Sequence, residues 1–216
     1  AFYESRNIPA IKVGMEIGPQ AVIGEAARFG ITTPVPPFPS VYIGSATVIP
    51  LELISAFSTF SNMGTRTTPF AIDRVEDRNG NVLWEPTPRS EVVMDSALAY
   101  LMIDGMKNVV RRGTAASAVG SLIGTLPAGG KTGTTNDGFD VWYIGFTPDL
   151  VGGVWLGMDQ PQKIMDNAQG GRLAAPAWTM MMKEVYERRP VPQDWPRPDG
   201  LVISEVDRQS GKKFTP

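Results

Sequence analysis

"GGKTGTT", residues 129–135, decides the fold, because two incompatible architectures lay claim to it. Glycines ahead of Lys-Thr suit a phosphate-cradling loop, whereas Lys-Thr-Gly on a strand suits an extended, anionic ligand. The phosphate pattern needs Gly, four residues, then Gly-Lys-Ser/Thr. Counting back from Gly130, the required glycine falls on Thr125, and Gly124 misses by one. Such a loop must also open a helix whose N-terminus faces the phosphates. Here "TGTTNDGFDVWYIGF" (132–146) follows, rich in Gly and Thr and then β-branched and aromatic, which predicts a strand.

On that strand, Lys131, Thr132 and Thr134 are expected to project together from one face, with Gly133 leaving room for a ligand against the backbone. One ammonium and two hydroxyls suit a carboxylate, and strand-edge N–H groups suit an extended peptide. From three residues alone, a Gly/Thr-rich strand with a solvated lysine fits equally well.

Working outward, "FDVWYIGF" (139–146) and "LVGGVWLGM" (150–158) read as two buried antiparallel strands turned at Thr147-Pro148-Asp149. "AAPAWTMMMKEVYE" (174–187) predicts a helix packing through Trp178, Met181 and Tyr186. "DSALAYLMIDGMKNVVRR" (95–112) predicts another, capped by Asp95 or Ser96. Alternation about Asn79-Gly80 predicts a hairpin. Pro50 marks the first turn of a helix that Asn62-Met63-Gly64 stops. Residues 1–29 are helical in pattern and broken at Gly18-Pro19, and the prolines of 31–39 predict an ordered strap. Residues 190–200, proline-rich, read as a linker, and the tail "LVISEVDRQSGKKF" (201–214) resembles a further hairpin.

Composition narrows the chemistry. The 216 residues hold no histidine and no cysteine, which rules out a Ser-His-Asp triad, a thiol nucleophile and His or thiolate metal sites. Proton transfer would fall to Lys, Ser/Thr, Tyr or a carboxylate. A net charge of −2 supplies no global basic field for nucleic acid, and no stretch reaches the roughly 20 apolar residues that span a bilayer. No cofactor and no metal are expected.

"ESRNIPAIKVG" supplies Ser5-Arg6-Asn7, and Lys131-Thr132-Gly133 follows. Ser-x-Asn ahead of Lys-Thr-Gly resembles the signature of penicillin-binding proteins and serine β-lactamases. The flanks "IGSATVIPLELISAFSTFSNMG", "RRGTAASA", "GGKTGTTNDGFDVWYIGFTPDLVGGVWLG" and "GGRLAAPAW" resemble the transpeptidase domain of the class A, bifunctional penicillin-binding proteins. The resemblance implies an α/β fold of the α+β type: an antiparallel sheet flanked by helices, transpeptidase-like and incomplete at the N-terminus. Residues 1–189 would be the C-terminal portion of that domain, and 190–216 a proline-rich linker with a short β tail.

It also implies serine acyl transfer at the D-Ala-D-Ala terminus of peptidoglycan stem peptides, with β-lactams as mimics of that dipeptide. Ser5 would relay a proton toward the leaving amine, Asn7 would orient the substrate amide, and Lys131 would supply positive charge to the substrate carboxylate and to the relay. Thr132 and Thr134 would donate to that carboxylate, the Thr134 N–H would face the oxyanion, and Gly133 would give clearance. Trp142 is a candidate for the cleft wall. Ser5 and Asn7 also suit a helix cap.

In the family, the nucleophilic serine lies in a Ser-x-x-Lys that precedes Ser-x-Asn. The chain starts four residues before Ser5, so that motif is expected to be absent and the fragment inactive alone. The implied partners are then the missing N-terminal half of the domain and a glycosyltransferase domain, on the extracytoplasmic face of the membrane through an anchor outside this chain. A β-lactamase or D,D-carboxypeptidase of the same fold, and a non-catalytic penicillin-binding sensor or interaction module, stand as alternatives.

Overall fold

The computed structural model describes residues 1–207 and 210–213. At its centre is an antiparallel three-stranded sheet in the order β5 (Gly129–Thr134), β6 (Val141–Phe146), β7 (Val151–Leu156). Register is continuous: Gly133 lies opposite Trp142, and Trp142 opposite Trp155. No helix follows the Gly-Gly-Lys-Thr segment, so the phosphate-loop geometry is absent.

Alternation along β6 assigns its two faces. Tyr143 and Gly145 face helix α6 (Gly170–Glu187), where the Trp178 ring meets Tyr143 edge-on at 5.4 Å. A Cβ on Gly145 would fall 2.6 Å from Trp178, so glycine at this position lets the indole close on the strand. Ile144 and Phe146 face the other side, covered by α3 (Pro50–Ser61) and α4 (Ser96–Arg112). There Gly153 admits Ile54 of α3, and Gly129 admits Phe146 and Met106 of α4. The sheet is thus packed on both faces by helices, which is why β6 is buried nearly throughout.

Helix α4 starts where its sequence directs: the Asp95 side chain accepts from the N–H groups of Ala97 and Leu98 at 2.8 and 3.4 Å. Helices α1 (Asn7–Ile17) and α2 (Pro19–Arg28) meet at Gly18, with Pro19 opening the second. Pro50 opens α3, and Met63 and Gly64, both at positive φ, end it. Beyond it lie two small antiparallel pairs, β1 (Thr65–Thr67) with β4 (Ser90–Val92), and β2 (Val75–Glu76) with β3 (Val82–Trp84), the latter turning at Asn79-Gly80. A four-residue helix, α5 (Ala116–Val119), follows α4.

Three expectations need correction. Helix α6 begins at Gly170 rather than 174, and Pro176 lies inside it, where it removes only the bond to the Arg172 carbonyl. Met182, not Met181, joins Trp178 in the core, because a four-residue step keeps the same helix face and a three-residue step here turns toward solvent. The segment read as a linker is docked at its middle. Trp195 is buried edge-on to Phe146 at 5.6 Å, its indole N–H donates to the Ser61 carbonyl at 2.8 Å, and Lys107 pairs with the neighbouring Asp194. In the tail, Val206 bridges to Lys213, and residues 208, 209 and 214 of the expected hairpin lie outside the described residues.

Candidate active site

Strand β5 is the edge strand of its sheet. The Thr135 N–H donates to the Asp140 carbonyl, so alternation turns the N–H groups of Thr134 and Thr132 away from β6 toward the open edge. The Thr132 carbonyl shares that direction and accepts from Lys131 Nζ at 3.0 Å. Among the described residues no strand pairs with this edge, which leaves main-chain donors and an acceptor for an extended ligand.

The expectation that Lys131, Thr132 and Thr134 share one face is wrong for a regular strand, because neighbours alternate. Lys131 lies opposite Ile144, on the α4 face; Thr132 and Thr134 point to the α6 side. Lys131 reaches the common edge only because its long side chain folds back over the backbone. There its ammonium donates to Ser5 Oγ at 2.7 Å, a contact between residues 126 apart in sequence. Burial of the side chain lowers the lysine's pKa from 10.5 to about 8, since desolvation penalises the charged form.

Ser5 is held for this contact. It sits at φ 54°, in a turn closed by its own N–H to the Phe2 carbonyl at 3.0 Å. The turn is fastened to the end of α4 by the Thr114 N–H to the Tyr3 carbonyl at 3.2 Å, and by Arg112 over the Tyr3 ring. A positive φ at a non-glycine residue is sterically costly and is kept where surrounding contacts impose it. Ser5 is not a helix cap: α1 starts at Asn7 with Arg6 as its cap residue and no side-chain cap bond. Asn7 opens that helix, and the open hollow that it lines is formed by residues 4–9 and includes no residue of β5.

Thr132 and Thr134 each have a fixed neighbour. Thr134 Oγ accepts from the Gly170 N–H at 3.0 Å, the first residue of α6. Thr132 Oγ lies 2.7 Å from Thr114 Oγ. Trp142 is half-buried across from Gly133, where a Cβ would meet it at 3.2 Å, and its ring tilts against Trp155 at 6.3 Å. The structure therefore brings Ser5 to Lys131 at the edge that carries Thr132 and Thr134, with Trp142 on the sheet face behind Gly133, while Asn7 lies at the start of α1 two residues beyond Ser5 and makes no contact with β5 among the hydrogen bonds of the described residues.

Sequence reasoning assigned no role to Thr114 or Gly170, although both lie in stretches it singled out, "RRGTAASA" and "GGRLAAPAW". A Cβ on Gly170 would fall 2.2 Å from the Trp142 carbonyl oxygen and 2.6 Å from that of Gly133. Only glycine lets the helix start touch the strand. Gly170→Ala is expected to displace this helix end and cost about 1–3 kcal/mol, the range of an overpacked interior site, measured as a fall in Tm with loss of the Thr134 contact. An unchanged Tm would refute the tightness of this approach.

The chain does spell Ser-x-x-Lys once, at Ser210-Gly211-Lys212-Lys213, contrary to the expectation that it is absent. Ser210 lies in the terminal turn, where its N–H and hydroxyl both donate to Asp207 Oδ1 at 2.7 and 2.6 Å. It follows Ser5 and Lys131 in sequence rather than preceding them, and its hydroxyl is engaged in holding the turn.

The family described as the penicillin binding protein transpeptidase domain matches residues 1–183. The chain is 29% identical over 268 residues to penicillin-binding protein 1A of Pseudomonas aeruginosa, covering 100% of this chain and 32% of that protein. It is 34% identical over 204 residues to penicillin-binding protein 1A of Aquifex aeolicus, covering 94% of this chain and 28% of that one. The chain therefore spans about a third of the length of these relatives. Among solved structures, penicillin-binding protein 1A of Haemophilus influenzae superposes with a TM-score of 0.86 at 23% identity, over 99% of this chain and 38% of that one. PonA1 of Mycobacterium tuberculosis, in complex with penicillin V, gives 0.69 at 24%, over 84% and 53%. The antiparallel sheet between helices is the penicillin-binding fold, and this chain belongs to the penicillin-binding protein transpeptidase domain family.

Proposed function

We propose that these residues are the carboxylate-binding and proton-relay part of a class A peptidoglycan D,D-transpeptidase. The observation that carries this is the 2.7 Å bond from Lys131 Nζ to Ser5 Oγ beside an unpaired strand edge bearing two threonine hydroxyls. A stem peptide ending in D-Ala-D-Ala lies along β5, its carboxylate on Thr132, Thr134 and the Lys131 charge. Ser5, donor and acceptor at once, passes a proton to the leaving D-Ala amine while Lys131 steadies it. Asn7 orients the peptide amide, Gly133 gives clearance, and Trp142 backs the strand. The Thr134 N–H is one oxyanion donor, lowering the barrier by about 3 kcal/mol. β-Lactams enter as carboxylate-bearing mimics of the dipeptide.

The acylated serine in this reading belongs to a segment outside the 216 residues. Helix α1 supports this: Ile8, Val13, Met15 and Ile17 are exposed and only Gly14 is buried. Trp155 and Leu156, exposed at the end of β7, point the same way. We place residues 1–189 in the transpeptidase domain and 190–216 as its appended strap and tail. The longer protein would carry a glycosyltransferase domain and work extracytoplasmically, anchored elsewhere, since among the described residues no helix is long and apolar enough to cross a membrane. The test is intact-mass analysis after labelled penicillin. The longer protein gains one adduct and the 216-residue chain gains none; a stable adduct on the short chain would contradict the placement of the nucleophile.

A further inference from the structure

We propose that Thr114 is a positioning residue of the carboxylate site, donating its hydroxyl to Thr132 Oγ so that both strand threonines face the ligand as donors. The inference rests on the carboxylate reading above and deepens it. A threonine hydroxyl carries one proton and two lone pairs, and its proton turns toward whichever acceptor its neighbours leave open. For Thr134 the direction is fixed by the main chain. The Gly170 N–H can only donate, so it occupies a lone pair of Thr134 Oγ at 3.0 Å and leaves the Thr134 proton free for a ligand. The positive end of the 18-residue helix α6 stands behind that contact.

For Thr132 the neighbour is another hydroxyl, and the 2.7 Å pair with Thr114 can run in either direction. A bound carboxylate removes the ambiguity, because it only accepts. Its contact with Thr132 takes the Thr132 proton, so Thr114 must supply the proton between the two oxygens. The result is two parallel chains, Gly170 N–H to Thr134 to ligand and Thr114 O–H to Thr132 to ligand. Each presents a proton outward, and both favour an anion over an amide.

Thr114 is well placed to be held for this. Its N–H is bonded to the Tyr3 carbonyl in the turn that carries Ser5. Its carbonyl is in tight contact with α6, since a Cβ on Gly171 would fall 2.1 Å from that oxygen. One residue thus joins the Ser5 turn, the end of α4 and the start of α6, while its exposed hydroxyl touches Thr132.

The test uses the full-length protein and two probes, N-acetyl-D-alanyl-D-alanine and its C-terminal amide, with affinities measured by NMR titration. The unaltered protein is expected to prefer the acid. Thr114→Val, which keeps the shape and removes the hydroxyl, is expected to lower the acid-to-amide ratio by about tenfold, the effect of one hydrogen bond to a charged group. Thr114→Ser is expected to restore it. In a Thr132→Ala background, Thr114→Val is expected to change the ratio no further, because Thr114 acts through Thr132.

An unchanged ratio in Thr114→Val, or no acid preference in the unaltered protein, overturns the proposal. So does an additional loss in the Thr132→Ala background. A Thr114-dependent acid preference in a protein that forms no acyl-enzyme would uphold the proposal and count against the transpeptidase reading alone.

Discussion

Lys131→Ala in the full-length protein is expected to slow acylation by penicillin by about 10²–10⁴-fold, the range of a positioned proton-transfer group, while the fold survives. The lysine makes two contacts, to Ser5 Oγ and to the Thr132 carbonyl, and neither holds an element of the core. The loss falls on chemistry because the alanine leaves Ser5 in its strained turn with no partner to orient its proton. It also removes the one charge aimed at the ligand carboxylate from this strand. The pH dependence follows from the same group. With its pKa lowered to about 8, the free protein carries a charged Lys131 below that pH and a neutral one above it. Capture of a carboxylate-bearing β-lactam, read as the second-order acylation rate, is expected to fall as pH rises through about 8. Equal rates for Lys131→Ala and the unaltered protein would remove Lys131 from the mechanism.

The largest expected stability effect is at Trp178. Its ring is fully buried, edge-on to Tyr143, and lies against Gly145 and Gly152 of two adjacent strands. The indole fills most of the space over Gly145 and shares that over Gly152 with the Met181 and Met182 methyls, so truncation opens a cavity on the sheet. Trp178→Ala is expected to cost about 3–5 kcal/mol, a large share of the about 5–15 kcal/mol that holds a typical domain. In thermal unfolding this is a fall in Tm of roughly 6–20 °C at this chain length. Trp178→Phe keeps much of the volume and removes an indole N–H that has no partner among the described residues, so its expected cost is smaller. A Tm within a degree or two for the alanine variant would show that α6 is not what holds the sheet.

Much of this was legible before the structure because several signals agreed at single residues. Gly124 out of register, together with β-branched and aromatic residues after Thr135, predicted a strand instead of a phosphate loop. Asp95, Pro50 and Gly18-Pro19 marked helix ends through local capping and ring chemistry, which do not depend on the rest of the fold. Other features were not legible because they arise from tertiary approach. Gly170 and Thr114 matter through what they touch, a strand carbonyl and a threonine hydroxyl far along the chain. Trp195 sits among prolines and charges that read as a linker, and only the groove beside Phe146 gives it a place. The single-face expectation for Lys131 and the threonines failed for a simpler reason: strand alternation separates them, and the lysine's length brings its amine back.

The central claim is that the Lys-Thr-Gly edge and Ser5 serve a serine supplied by another part of the protein. The most direct measurement is peptide mapping of the full-length protein by mass spectrometry after acylation with penicillin. The account predicts one modified serine, in a Ser-x-x-Lys that precedes residue 1, and its loss in the Lys131→Ala variant. A modification mapped to Ser5 or Ser210, or one that forms equally well without Lys131, would contradict it.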